Sequence, residues 1–211
     1  MTSDRRAHRA SILVLLLITA FIPAVAFAQR SGSTISTEKI FEALELREGI
    51  TVCEIGAGDG ELSIAAARIV GTNGRVYTSE LGEERLKALR RKVSDSALAH
   101  MSVVAGDAAK TNFPDAGCDA LFMRNVYHHF AEPAPMNASI ATALKPGGRV
   151  AIVDFAPPND EASTPAERGK DGMHGVTLES VSRELKQAGF EEICSEQGEQ
   201  RWFMVVLRKP S

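Results

Sequence analysis

From residue 50 the chain alternates short Val- and Ile-rich runs with helical patterns, and the first changeover, "ITVCEIGAGDGE" at 50–61, is the most restrictive. "ITVCEI" reads as a buried strand, three glycines follow at every second position, and "ELSIAAARIV" reads as a helix ending at Gly71. The pattern then repeats: "RVYTSE" as a strand, "GEERLKALRRKVSD" as a helix, and "MSVVAG" and "CDALFMR" as strands. "PAPMNASIATAL" is a helix closed by a "KPGG" turn, and "RVAIVDF" is the fifth strand. A polar loop spans 156–177, "TLESVSRELKQAGF" is a helix stopped by Gly189, and "EEICSE" with "RWFMVVLRK" makes a hairpin. Ahead of all this, "STEKIFEALEL" gives one short amphipathic helix with an imperfect capping box. Strands alternating with helices predict a doubly wound, mostly parallel seven-stranded sheet with a C-terminal antiparallel strand. Ligands of such sheets bind beyond the carboxyl ends of the strands, which is where the glycines lie.

The glycines are Gly56, Gly58 and Gly60, and Glu61 stands where a dinucleotide fingerprint has its third glycine. Glu54, Asp59 and Glu61 bracket the turn. Each like-charge pair at 4 Å costs about 1 kcal/mol in bulk water and about 4 kcal/mol near a protein surface. A diphosphate is therefore a poor guest here, and a nucleoside carrying a cation is a better one.

"VCEIGAGDG" resembles the first motif of class I S-adenosylmethionine-dependent methyltransferases, an acid followed by GxGxG. The resemblance runs from about residue 36 to 208 and implies an α/β, Rossmann-like fold with S-adenosylmethionine as cofactor. It implies that Glu54, Gly56, Ala57, Gly58 and Gly60 form the cofactor loop. Glu80, ending the second strand, matches the acid that holds the ribose hydroxyls. Asp107, in "GD" after the third strand, matches the residue at the adenine amino group, with Ala108 beside it. Arg124 and Asn125 follow the fourth strand and belong to the same set. The implied activity is methyl transfer to an acceptor, expected to be a small molecule. The alternative from another class is an exported, non-catalytic binding protein that keeps the fold.

Candidate catalytic residues stand after the fourth strand: Tyr127, His128 and His129. A histidine titrates near neutrality and can accept a proton from a hydroxyl or thiol acceptor. The plainer reading makes one histidine a helix cap and Phe130 a packing residue. His174, in "GMHGV", lies in the loop before the last helix, where it either reaches over the site or is a surface residue. Asp154 ends the fifth strand at the position where metal-assisted relatives hold a cation, but its partner position is Arg124–Asn125, so no metal is expected.

The first 28 residues are a different object. Arg5, Arg6 and Arg9 precede an uncharged run from Ala10 to Ala28, and "AFA" at 26–28 fits a cleavage site. The expectation is a signal peptide at 1–28, a flexible lead-in at 29–35 and one domain at 36–211, with a periplasmic or secreted location. An uncleaved membrane anchor is the alternative, and then the membrane contact would run through the leader alone. Without residues 1–28 the formal charge moves from −3 to −5. That acidity, with no basic cluster, argues against nucleic acid as a partner. Cys53, Cys118 and Cys194 are widely spaced and contain no CxxC, so neither a zinc site nor a disulfide framework is expected, and Cys53 reads as a small buried hydrophobe.

Overall fold

The computed structural model describes residues 35–211. The expected leader lies outside the described residues, as does the lead-in up to residue 34. Ile35, assigned to that lead-in, is buried at 1% exposure, so the ordered domain starts before residue 36.

Helix α1 (Thr37–Ala43) begins at Ser36, whose hydroxyl accepts the Lys39 amide at 3.3 Å. Strands β1 (Thr51–Ile55), β2 (Arg75–Glu80), β3 (Met101–Ala105) and β4 (Cys118–Arg124) pair in parallel, as does β5 (Leu144–Phe155) with β4. Between them run α2 (Glu61–Val70), α3 (Glu83–Asp95) and α4 (Pro133–Ala143). After α5 (Leu178–Gln187) the chain forms the hairpin β6 (Glu191–Gln197) and β7 (Trp202–Arg208). The seven strands lie in the order β3-β2-β1-β4-β5-β7-β6, with β7 antiparallel to both its neighbours. This is the doubly wound, mostly parallel sheet expected from the alternation.

Alternate residues of each strand enter two cores, as the two-residue period of a strand requires. On one face Val52, Val76, Phe122 and Val153 pack with Ile40 and Phe41 of α1 and Ala66 and Val70 of α2. On the other, Ile55, Leu121, Met123 and Ile152 pack with Ile140 of α4 and Leu185 of α5. The "KPGG" turn is present, but inside the bounds of β5. Leu144 already pairs with Cys118, and the register then jumps so that Ala120 faces Arg149. The turn loops out between two paired residues, with Gly147 at φ +74°.

The expectation for the cysteines is corrected. Cys53 in β1 and Cys118 at the start of β4 form a disulfide, both fully buried, and Cys194 is the free, exposed cysteine. The two strands are neighbours in space although the cysteines stand 65 positions apart in sequence, and the spacing alone does not reveal that adjacency. Among the described residues no helix is long and apolar enough to cross a membrane.

Candidate active site

The chain leaves β1 through a turn in which Gly56, Gly58 and Gly60 all have positive φ, at +69°, +55° and +78°. At Gly56 a Cβ would lie 2.5 Å from Val126 Cγ2, so only glycine fits both the backbone and the neighbour. Gly60 then serves as the N-cap of α2. Asp59 accepts the Glu61 amide at 3.2 Å, completing the helix entry.

Beyond the carboxyl ends of β1, β2 and β4 opens a cleft of about 520 Å³. Gly56, Glu80, Asp107, Ala108, Asn125 and His129 line it, each named by the sequence as a site residue. Glu80 is held by two amides, its Oε2 accepting Gly58 N–H and its Oε1 accepting Leu81 N–H, both at 2.8 Å. That pair of bonds ties the glycine turn to the end of β2. Asp107 Oδ1 accepts the Ala109 amide at 2.9 Å, which fixes the turn after β3. Val126, Phe130 and Met136 supply an apolar wall, and Leu81 stands 44% exposed beside Glu80. The sequence reading missed these four; a large apolar residue directly after a strand-end acid was the available signal for Leu81.

Ala57, Gly58 and Gly60 shape the turn without lining the cleft, and neither Glu54 nor Arg124 lines it either. Glu54 is 2% exposed, on the α2 face, and accepts the Ser63 hydroxyl. Burial pushes its carboxyl up to about 7, partly opposed by the bonds from Ser63. Arg124 donates to the Ile35 carbonyl at 3.0 Å and so anchors the start of the domain to the end of β4.

The three catalytic candidates separate. Tyr127 is fully buried, donates to Glu184 Oε2 at 3.0 Å and accepts from Asn137 at 2.8 Å, away from the cleft lining. Burial, with Glu184 beside it, drives its hydroxyl above the ordinary phenol range, which disfavours loss of its proton. His128 is 2% exposed and turns toward β5, where Asp154 Oδ1 lies 2.8 Å from its Nδ1. His129 is exposed and faces the cleft. Its pKa is lowered, first by burial and then by His128 and His174. Neither histidine caps α4, which begins at Glu132 with Pro133 as its first residue.

His174 joins this pair from the 156–177 loop, its Nε2 2.9 Å from His128 Nε2. The loop is fixed at that point by Gly175, φ +136°, where a Cβ would sit 2.6 Å from the Phe155 carbonyl. Arg168, 3% exposed, bonds Glu184 on α5 and lies 3.3 Å from Glu161, holding the rest of the loop.

Residues 53–152 match the methyltransferase domain family. A ubiquinone/menaquinone biosynthesis C-methyltransferase of Pseudomonas putida is 33% identical over 126 residues, which cover 57% of this chain and 48% of that protein. The chain thus spans about half the length of the curated relatives it matches. A crystal structure of an S-adenosylmethionine-dependent methyltransferase from Aquifex aeolicus superimposes with a TM-score of 0.70 at 26% identity, covering 82% of this chain and 89% of that one. Phosphoethanolamine N-methyltransferase 2 of Haemonchus contortus, solved with S-adenosylmethionine, shares the fold with a TM-score of 0.69 at 18% identity, covering 83% and 52%. With its glycine turn, strand-end acids and strand order, the chain carries a methyltransferase domain over residues 53–152 and shares its fold with S-adenosylmethionine-dependent methyltransferases.

Proposed function

We propose that this protein transfers a methyl group from S-adenosylmethionine to a small-molecule acceptor and works outside the cytoplasm. The observation that carries the activity is the cleft, which brings Gly56, Glu80, Asp107, Asn125 and His129 together at the carboxyl ends of the sheet. Its volume lies within the range of small-molecule sites, roughly 300–1,000 Å³. The donor set fits the cofactor. An ionised carboxylate has about four acceptor positions, so Glu80 can receive ribose hydroxyls beyond the two amides it already binds. Asp107 offers an exposed carboxylate to an amino group, and Leu81 an apolar face to a base.

When bound, the cofactor supplies an electrophilic methyl group on a sulfonium. The chain's own part is positioning and exclusion of water, which together account for much of the rate in displacement chemistry. Val126, Phe130 and Met136 make the apolar wall that excludes water, and Asn125 and His129 stand on the rim where an acceptor would meet the cofactor. The curated relatives that match are named as C-methyltransferases of quinone biosynthesis, which supports a small acceptor.

The location rests on a different feature. A buried Cys53–Cys118 bond belongs to an oxidising compartment, because cytoplasmic thiols are kept reduced. It agrees with the leader pattern at residues 1–28.

Calorimetric titration of the full-length protein with S-adenosylmethionine, its demethylated product and NAD tests the activity assignment. Saturable binding of the first two, weakened by Asp107→Ala and absent for NAD, is expected. A folded protein that binds neither would overturn it and leave the exported binding protein as the better reading. Fractionation of producing cells tests the location, and recovery only from cytoplasm would refute it.

A further inference from the structure

His128, His129 and His174 place one ring nitrogen each within 4.8 Å of one another. We propose that these three histidines form a binding site for a divalent transition-metal ion of the zinc class, on the acceptor side of the cleft. It is distinct from the cofactor-binding residues.

Four observations carry this. First, the ligand set is nitrogen only, which suits zinc and its first-row neighbours and not the oxygen-seeking magnesium or calcium. Second, the key ligand is pre-oriented. Asp154, fully buried, lies 2.8 Å from His128 Nδ1 and also accepts the His128 backbone amide at 3.1 Å. A carboxylate on the far nitrogen of a histidine is the usual support of a metal ligand, fixing its tautomer and leaving Nε2 to bind. Third, that Nε2 is aimed at His174 Nε2, 2.9 Å away. In the metal-free protein one ring donates to the other, and a tautomer shift to Nδ1–H on His174 frees both Nε2 lone pairs for one metal ion after a small separation. Fourth, the loop ligand is held without metal. Gly175 packs against Phe155, and the Phe155 ring lies 4.9 Å from His128 and 5.2 Å from His174, giving the site an apolar floor.

Three protein ligands leave a fourth tetrahedral position for water or for an oxygen or sulfur atom of a substrate. His129 lines the cleft, so the site borders the space an acceptor would occupy. The acceptor class this favours carries a hydroxyl or thiol, whose proton a bound metal makes easier to lose. Asp154 is in this arrangement a positioning residue and not a ligand.

The test uses the full-length protein carrying Cys194→Ser, which removes the exposed thiol as a stray ligand. The chelator-treated protein is loaded with Zn²⁺ or Co²⁺ alone, and metal content, affinity and the Co²⁺ absorption spectrum are read. One ion per chain with a tetrahedral Co²⁺ spectrum is expected. His129→Ala and His174→Ala alter exposed residues and leave the fold intact, and each should weaken binding by more than tenfold. Asp154→Asn should weaken it about 10- to 100-fold with the same stoichiometry. A folded protein that takes up no metal, or whose affinity survives both alanine variants, would overturn the proposal. Cofactor binding by Asp107 is measured separately, so the two readings fail independently.

Discussion

Asp154 and His128 are joined twice: the carboxylate accepts the His128 backbone amide through Oδ2 and lies against the ring through Oδ1. Oδ1 also accepts the Phe155 amide at 2.9 Å, so the carboxylate is locked in place. The neutral His128 ring should therefore be the Nδ1–H tautomer, with Nε2 unprotonated. Ring ¹⁵N chemical shifts of the metal-free protein measure this directly, and an Nε2–H tautomer would contradict the arrangement.

Cys53 and Cys118 close a loop with a sequence separation of 65 residues. The chain-entropy model assigns such a loop about 4 kcal/mol, and measured effects of removing a native disulfide run at about 2–5 kcal/mol. Replacing both cysteines with alanine should lower unfolding stability by about 2–4 kcal/mol. Thiol titration of the unfolded, unreduced protein should find only Cys194, and the other two should appear after reduction. Three reactive thiols before reduction would remove both the bond and its support for export.

Glu54 makes stability depend on pH in a definite direction. Its folded pKa is raised from 4.5 to about 7, so the folded chain keeps a proton that the unfolded chain has released. This contribution is complete below the unfolded pKa and is lost as pH rises toward the folded one. The span amounts to about 3 kcal/mol at most, at about 1.36 kcal/mol per pKa unit. In urea unfolding at pH 5 and pH 8, Glu54→Gln should lose much less stability across that interval than the parent. Equal losses would assign the titration elsewhere.

Tyr127→Phe separates a structural tyrosine from a catalytic one. The change removes the acceptor for the buried Asn137 amide, whose own Oδ1 has no partner, and a donor to Glu184. Stability should fall by about 1–3 kcal/mol, the usual penalty for stranding buried polar groups. Methyl-transfer kcat/KM, measured well below the melting temperature, should change little. A loss of kcat with stability intact would place Tyr127 in the catalytic set.

Gly56 and Gly58 differ in what surrounds them. Gly58→Ala meets nothing within 4 Å and has only its φ of +55° to contend with, so a loss of about 1–2 kcal/mol is expected. Gly56→Ala adds a 2.5 Å clash with Val126 and should cost more, together with cofactor affinity. Paired denaturation and titration curves decide the order, and equal effects would refute it.

The sequence by itself determined the elements and the ligand end of the sheet. Helix α2 and strands β2 and β4 fall on the residues their periodicity marks, because side-chain alternation and glycine conformations act within a few residues. Glu80 and Asp107 are marked as site residues by the resemblance of their motifs to methyltransferases, and the strand ends on which they stand carry them into the cleft. Tertiary structure alone decided what meets across the fold. Placing β4 beside β1 brings Cys118 to Cys53, and placing β5 beside β4 brings Asp154 to His128. The 156–177 loop folds back through Arg168 and Gly175 to deliver His174. In "YHH" three neighbouring side chains take three directions: Tyr127 toward α4 and α5, His128 toward Asp154, and His129 toward the cleft. A short 3-10 turn separates them, and which ring faces which partner follows from the packing of distant strands and not from their order in the chain.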